Sequence, residues 1–440
     1  MTFKQHLKAT GILSIPIIIS QVGHIVTSMA DNIFLGFIGI EQQAAGILSG
    51  NVFTLLLVFC IGMSQGLTPL VAGAHVNNQL QQKASLFKNS MLLNFMVSVV
   101  LFGLASIFAA NLSLLSQPED VALLARPFIE VISFSLVPVT LFFTMKQYTE
   151  GLTNTRASMY ISIIGNVINV ILNYSLIYGK FGLPCLGYMG AAWATFWARV
   201  FMAVAFAGYI FYNKKLKEIV QPFLQEKVTT LQLKKMFSIG LGPALQFTFE
   251  VAAFACAGIM AGWLGKITLD AHGIALSIAA FTYMFTSGIS GAASIRVANY
   301  KGLNDWKNIK IAGTAAFVLA GLIMLGFAAV FLMSYEILPT FFNKHKEVIE
   351  VSSGLLLVAA LFQFFDGIQV TGLGVLRGLS DVKMPTVIAL TAYWVIALPL
   401  AYFLGFPQKL GIYGVWFGLT AGLTFSAVAL YARFRHITKR

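Results

Sequence analysis

Residues 353–376, SGLLLVAALFQFFDGIQVTGLGVL, form an apolar run of 24 residues with one acid, Asp366, near its middle. A helix needs about 20 apolar residues to cross the hydrocarbon core of a bilayer, and the run lacks the strict alternation of a β-barrel strand. The whole chain of 440 residues is 58% hydrophobic and only 10% charged, whereas a soluble protein has about 25% charged residues. We therefore predict an all-α integral membrane protein with twelve runs of this kind.

The basic residues are distributed unevenly along the chain, which has a net charge of +13. Of the 29 Lys and Arg residues, 21 fall at the termini or in the even-numbered connections, and six fall in the odd-numbered connections. Positive charge in loops marks the cytoplasmic side of a membrane protein. This pattern predicts that both termini are cytoplasmic, and it gives no support for a nucleic-acid partner.

The chain also contains an internal repeat, because like residues coincide when the sequence is moved against itself by 226 or 227 positions. The aligned pairs include Pro16 with Pro243, Phe37-Ile38-Gly39 with Trp263-Leu264-Gly265, and Glu150-Gly151-Leu152 with Arg377-Gly378-Leu379. Six spans in each half give the two halves one orientation, a parallel repeat. We predict an N-terminal six-helix bundle in residues 1–212, a cytoplasmic linker in 213–230, a C-terminal six-helix bundle in 231–440 and a central cleft. A purely structural pseudo-dimer is the alternative.

Three acids, Asp31, Glu250 and Asp366, lie inside the predicted spans. A charged side chain at the bilayer centre costs roughly 3 kcal/mol on insertion scales, so intramembrane acids are functional candidates. Neutral amides could provide helix-to-helix hydrogen bonds without that cost. We therefore predict a functional role for Glu250 and Asp366. Burial disfavours the ionised carboxylate, and a bound Na⁺ or proton would relieve that cost.

Other polar residues align with these acids at helical spacing. Four stripes result, namely Ser20, His24, Thr27 and Asp31; Ser162, Asn166, Asn169 and Asn173; Gln246 and Glu250; and Gln363 and Asp366. Such stripes face protein or water. The Asn stripe could instead have a structural role and form hydrogen bonds between helices. His24 could likewise be a packing residue. Glu130 and Lys146 are predicted to snorkel towards the ends of span 4, and Arg199 to pair with an acid that the sequence does not identify.

Enzymatic and channel functions find little support in the motifs. The chain has no GxGD or HExxH sequence, which are motifs of aspartyl and metal-dependent hydrolases. Its one GxSxG match, residues 62–66 (GMSQG), lies within an apolar run and not at the strand-to-helix turn that a serine hydrolase needs. It also has no filter motif, and its two halves favour a transporter. We predict a protein that is not an enzyme and needs no cofactor.

Three segments of the chain match motifs of a known family. They are residues 30–36, ADNIFLG; residues 166–179, NVINVILNYSLIYG; and residues 376–385, LRGLSDVKMP. In these segments the chain resembles the multidrug and toxic compound extrusion (MATE) family and, within it, the NorM-type branch. The resemblance covers all twelve spans. It implies a monomeric transporter of the bacterial cytoplasmic membrane that exports amphiphilic, mostly cationic small molecules in exchange for Na⁺ or H⁺ by alternating access.

The resemblance also implies roles for particular residues. Glu250 and Asp366 match the acids that bind the coupling cation, including Na⁺ if sodium is the ion. Asp31, Asn169, Asn173 and His24 would form an accessory polar site in the N-terminal half, and Gln246, Gln363 and Tyr393 would line the pocket. Asn173 departs from a branch of the family that carries Asp there, and Glu150 stands where Arg is commoner.

The alternative function is that of a flippase of related architecture for lipid-linked saccharides. The span interiors hold acids and almost no Lys or Arg, which favours cationic cargo.

Overall fold

The computed structural model describes residues 1–36, 38–112, 119–214 and 216–439. Phe37 of the aligned repeat and Lys215 of the predicted linker lie outside the described residues. Within these ranges, twelve helical segments are long and apolar enough to cross a membrane, which confirms the predicted number. Spans 1 to 12 are Phe3–Thr27, Glu41–Val76, Leu80–Ala110, Asp120–Gly151, Arg156–Tyr178, Tyr188–Tyr212, Thr230–Trp263, Lys266–Gly302, Trp306–Ser334, Lys346–Gly378, Lys383–Gly405 and Gly411–Ile437.

Several spans are not uniform α-helices. The helix of span 1 continues beyond the apolar segment, from Phe3 to Gly36. Span 2 consists of helices Ile40–Gln65 and Leu67–Val76, and span 4 of helices Glu119–Phe134 and Leu136–Gly151. Span 11 consists of helix Lys383–Leu390, a π-helical segment Thr391–Ala397 and helix Leu398–Gly405. Outside the spans, the described residues contain short helices at Lys217–Ile219, Val220–Gln225 and Leu338–Phe341.

The chain forms two compact units. The N-terminal unit is Ile19–Ala244, and the C-terminal unit combines Met1–Ile18 with Leu245–Arg440. The bundles 1–212 and 231–440 were predicted from the sequence repeat, and they stay a prediction. The compact units differ from these bundles in the first segments of spans 1 and 7. The segment of span 1 up to Ile18 and the segment of span 7 up to Ala244 each pack with the opposite half of the sequence. Spans 1 and 7 thus pass from one unit to the other just after Pro16 and Pro243.

Each of these first segments is attached through close contacts with small residues. In the C-terminal unit, Ile17 packs against Ala292 and Ile295 of span 8, and a Cβ atom on Gly288 would lie 2.3 Å from Ile18. In the N-terminal unit, a Cβ atom on Gly62 would lie 2.3 Å from the Cα atom of Ala244. Small residues let helix backbones approach closely in membrane proteins. The two attachments occupy matching places in the sequence repeat.

The rest of each unit is packed in the same way. In the C-terminal unit, spans 8 and 10 approach so closely that a Cβ atom on Gly374 would lie 2.3 Å from the carbonyl oxygen of Ser290. The indole of Trp416 on span 12 is fully buried there and donates a hydrogen bond of 3.1 Å to His272 Nδ1. In the N-terminal unit, Phe142 and Phe206 are fully buried. The two cores hold the polar residues of the spans at fixed places on the helices.

Candidate functional site

The two acids of the C-terminal unit lie on spans 7 and 10, and both are buried in the protein. Glu250 is 6% exposed and Asp366 is 3% exposed. They are close enough for their negative charges to act on each other. Like charges in a buried site disfavour joint ionisation, and a bound cation or proton relieves that repulsion. The structure therefore brings together the two acids that the sequence analysis singled out.

The groups around Glu250 leave several polar atoms without a hydrogen bond. The Tyr393 hydroxyl and the Gln369 amide lie close enough to Glu250 for loose hydrogen bonds. None of these contacts has the geometry of a regular hydrogen bond within 3.5 Å, so that Glu250 Oε2, the Tyr393 hydroxyl and both polar atoms of the Gln369 amide have no regular partner in the described part of the structure. Tyr283 is also within electrostatic reach of Glu250 and Asp366. Buried polar atoms are normally paired, and an unpaired one costs about 1–3 kcal/mol.

This arrangement offers oxygen atoms to a cation. Two carboxylates and the neutral oxygens of Tyr393, Gln369 and Tyr283 are the kind of ligand that a hard cation prefers. Among the described residues, no three His, Cys, Asp or Glu side chains form a group that could hold a metal ion. A cation at Glu250 and Asp366 would therefore complete its shell with neutral oxygens.

The local helix geometry helps to place Tyr393. The side chain lies in the π-helical segment Thr391–Ala397 and is 1% exposed. Pro399 lies two residues after the end of this segment. It has no N–H, so it cannot donate the α-helical hydrogen bond to the carbonyl of Val395. Wide turns of this kind are frequent at functional sites.

The two glutamines that were predicted to line the pocket make bonds between spans. Gln246 Nε2 donates to Thr386 Oγ1 at 3.0 Å and to the Val382 carbonyl at 3.3 Å, and so ties span 7 to span 11. Gln363 Nε2 donates to Thr282 Oγ1 at 2.6 Å, whereas its Oε1 atom has no hydrogen-bond partner among the described residues. Gln363 thus keeps a spare acceptor on the span that carries Asp366. Their roles as pocket-lining residues stay a prediction.

The sequence analysis missed Gln369 and Tyr283. Gln369 follows Asp366 by three residues, so it lies on the same face of span 10, and this spacing could have identified it. Tyr283 is on span 8, and its position near Glu250 depends on how spans 7, 8 and 10 pack. No pattern in the sequence contains that information.

A second polar network lies in the N-terminal unit, around Asp31. Asp31 Oδ1 accepts a hydrogen bond of 2.6 Å from Asn173 Nδ2, and Oδ2 accepts one of 3.4 Å from Thr195 Oγ1. Asn173 Nδ2 also donates to Asn169 Oδ1 at 3.0 Å, and Asn169 Nδ2 donates to Thr195 Oγ1 at 3.2 Å. The structure therefore brings Asp31, Asn169 and Asn173 together. Unlike Glu250, Asp31 has a hydrogen bond at each carboxylate oxygen.

Arg199 and His24 lie near this network. The positive charge of Arg199 acts on Asp31, which identifies the acid that the sequence left open. The guanidinium also donates to Ser135 Oγ and lies 4.3 Å from the centre of the Phe53 ring. The ring of His24 packs 6.0 Å from that of Phe143, and its Nε2 atom has no hydrogen-bond partner among the described residues. His24 therefore contacts the network through no described hydrogen bond.

The prediction for Lys146 was wrong. Its side chain is 2% exposed and lies 4.0 Å from Glu150 Oε1, so it does not snorkel to water. Its Nζ atom donates to Ser20 Oγ at 3.2 Å, and Glu150 Oε1 accepts from Ser158 Oγ at 3.1 Å. The spacing of four residues between Lys146 and Glu150 is typical of helical ion pairs and could have indicated the partner.

Glu130, the other residue predicted to snorkel, lies at the surface. Its side chain is 46% exposed, and it lies 3.6 Å from Arg126. Span 4 therefore carries one exposed and one buried ion pair at the same spacing. Only the buried pair is part of the core of the N-terminal unit.

Comparisons with known proteins agree with the repeat and the spans. The family model MatE matches residues 16–175 and again residues 244–403. The chain is 33% identical to the probable multidrug resistance protein NorM of Agrobacterium fabrum, over 99% of this chain and 95% of that protein. It is 30% identical to the multidrug resistance protein MdtK of Yersinia pseudotuberculosis, over 97% of this chain and 95% of that protein. The crystal structure of the eukaryotic MATE transporter AtDTX14 superposes with a TM-score of 0.90 at 20% identity, covering 99% of this chain and 98% of that one.

Proposed function

Because the chain belongs to the MatE family, we propose that it is a multidrug efflux antiporter that exports amphiphilic, mostly cationic compounds in exchange for Na⁺ or H⁺. The names of its relatives NorM and MdtK support multidrug cargo. The observation that carries the proposal is the pair of buried acids, Glu250 and Asp366, within reach of polar atoms that have no hydrogen bond. Buried polar atoms in a structural site are normally paired.

In this proposal, Glu250 and Asp366 bind the coupling cation. Two negative charges in a buried site are stabilised by a cation, which is either Na⁺ with oxygen ligands or a proton on one carboxylate. A cationic drug and the coupling ion compete for the same charge. Ion binding therefore favours the state of the transporter that releases the drug, since a ligand shifts a conformational equilibrium by its difference in affinity for the two states.

Alternating access requires two bodies that can move, and the two compact units supply them. Spans 1 and 7 both pass from one unit to the other, just after Pro16 and Pro243. A proline inside a helix removes one backbone hydrogen bond and creates a point where the helix bends more easily. We therefore place the hinges of the transporter at these two positions.

The network around Asp31 has an accessory role in this account. Both oxygens of Asp31 already accept hydrogen bonds from Asn173 and Thr195, and Arg199 supplies a positive charge. A cation would have to displace these partners. Glu250 Oε2 has no regular hydrogen bond among the described residues, so a cation displaces less there, and the C-terminal acids are the better cation site.

The proposed setting is the bacterial cytoplasmic membrane, with both termini in the cytoplasm. The twelve candidate spans and the bacterial relatives support a multi-pass membrane protein in bacteria. The distribution of Lys and Arg supports the orientation. The protein would act as a monomer on small organic cations, without a cofactor.

The test is transport by the purified protein in lipid vesicles, with Na⁺ and H⁺ gradients imposed separately. We expect ethidium to move against its own gradient when one of the two ion gradients is imposed, and the movement to stop when that gradient is collapsed. No movement under either gradient would contradict antiport, and protein-dependent movement of a lipid-linked saccharide under the same conditions would support the flippase alternative.

A further inference from the structure

A cluster of polar side chains fastens the first turns of span 1 to the rest of the C-terminal unit. Arg296 on span 8 donates to the backbone carbonyl of His6, to Thr10 Oγ1 at 2.7 Å and to His6 Nδ1, with 2.9 Å between the nitrogens. On the other side of the ring, His6 Nε2 lies 2.9 Å from Asn308 Oδ1 on span 9. His6 is fully buried. We call these four residues, His6, Thr10, Arg296 and Asn308, the span 1 clasp.

The hydrogen bonds of the clasp select one protonation state of His6. Asn308 Nδ2 donates to Asp305 Oδ2 at 2.6 Å, so Asn308 must present its oxygen to His6, which requires a proton on Nε2. A guanidinium can only donate hydrogen bonds, so Nδ1 must be the acceptor and carries no proton. Both sides of the ring therefore require the neutral imidazole with its proton on Nε2. Asp305 fixes the orientation of the Asn308 amide, and Arg296 independently fixes Nδ1 of His6 as a hydrogen-bond acceptor.

Protonation of His6 is incompatible with this arrangement. An added proton on Nδ1 would face the Arg296 guanidinium, so a hydrogen bond would be lost and two positive charges would lie in contact. The other charges near the ring are the N-terminal amine, which is also positive, and the carboxylate of Asp305. Hydrogen bonds from Asn308 lower the pKa of Asp305, so this acid is ionised at neutral pH. It already bonds to Asn308 and not to His6.

The sequence repeat supplies a natural comparison, since Gln232 stands 226 positions after His6. Gln232 fastens the first segment of span 7 to the N-terminal unit. Its Oε1 atom accepts from Ser85 Oγ at 2.7 Å and from Asn89 Nδ2 at 2.6 Å. These three residues contain no titratable group. Span 1 is thus fastened through a titratable side chain, and span 7 through side chains that do not titrate.

We propose that His6 is a positioning residue through which pH on the cytoplasmic side controls the attachment of span 1 to the C-terminal unit. The proposal rests on the proposed function and orientation. In acid, protonated His6 releases the segment before Pro16 and transport slows, because the hinge half of span 1 is no longer fixed. Histidine is the side chain whose charge changes near neutral pH, with an ordinary pKa of about 6.5.

Transport in vesicles tests this with His6→Gln, which places an oxygen and an amide where the ring nitrogens lie and copies the residue of the repeat. Ethidium transport is measured while the pH is varied on one side of the membrane at a time. We expect the wild-type rate to fall about threefold or more between pH 7.5 and about 4.5 on the side that carries the N-terminus, because contact with the Arg296 guanidinium moves protonation of His6 to more acid pH than that of an unperturbed histidine. His6→Gln should lack this dependence. An unchanged pH profile in His6→Gln would overturn the proposal.

A second measurement follows the clasp itself and does not depend on ion coupling. Ser14 is 3% exposed, and among the described residues its hydroxyl donates to the carbonyl of Gly11 on its own helix, so Ser14→Cys reports on the attachment of span 1. In a background without Cys60, Cys185 and Cys256, a maleimide should label this cysteine faster at low pH in the wild-type clasp, relative to the same cysteine with His6→Gln. The compared quantity is the labelling rate with His6 divided by the labelling rate with His6→Gln. If this ratio is the same at all pH values, the proposed pH control of the clasp is refuted even if transport itself is confirmed.

Discussion

The buried ion pair of span 4 leads to a quantitative prediction. Lys146 and Glu150 are 2% and 4% exposed, and their charged atoms are 4.0 Å apart, longer than the 2.7–2.9 Å or so of a strong charge-assisted hydrogen bond. Loss of one partner leaves an uncompensated buried charge, which costs about 3–5 kcal/mol, whereas loss of both is often close to neutral. We therefore expect Lys146→Met and Glu150→Gln each to lower the free energy of unfolding by about 3 kcal/mol, and the double variant to lower it by about 1 kcal/mol.

The same span contains a matched control. Arg126 and Glu130 have the same spacing, but their side chains are 58% and 46% exposed, and an exposed pair contributes about 0–1 kcal/mol. Unfolding in mixed detergent micelles would be measured for all of these variants and for Arg126→Met. The reasoning would be refuted if Lys146→Met were no more destabilising than Arg126→Met, or if the two changes at the buried pair simply added.

Two further predictions concern the C-terminal packing and the N-terminal network. In the same unfolding assay, Gly374→Ala should destabilise the protein by about 2 kcal/mol, because the new Cβ atom would lie 2.3 Å from a carbonyl oxygen of span 8. Gly326→Ala is the control. Its new Cβ atom would have nothing within 4 Å, so this change should be neutral or slightly stabilising. Asp31→Asn keeps an acceptor for Asn173, so ion-driven efflux in vesicles should fall by less than about tenfold, equivalent to 1.4 kcal/mol. Complete loss of ion-driven efflux would contradict the accessory role.

The spans and the acids could be predicted from sequence because both are properties of one helix at a time. An acid such as Asp366 stands out in an apolar run of 24 residues, and the repeat is visible by comparison of the chain with itself. The family model supports that repeat, since it matches residues 16–175 and 244–403 separately.

The remaining features depend on which helices are neighbours. Lys146 looked like a snorkelling residue because its distance from the end of span 4 was known and its burial was not. Arg199 lacked an acid because Asp31 is 168 positions away in the sequence. The composition of the compact units was also hidden, because residues 1–18 pack with the half of the chain that follows them by more than 200 positions.

The most direct test of the central claim is ion-driven efflux by Asp366→Asn and Glu250→Gln in lipid vesicles, with Asp270→Asn, an exposed acid of the same unit, as the control. Neutral amides keep the shape of the site but remove the charge that holds the coupling cation. We expect both site variants to fold and to lose uptake of drug against its gradient, while Asp270→Asn retains it. Unchanged ion-driven efflux in Asp366→Asn would contradict the assignment of these acids as the coupling site.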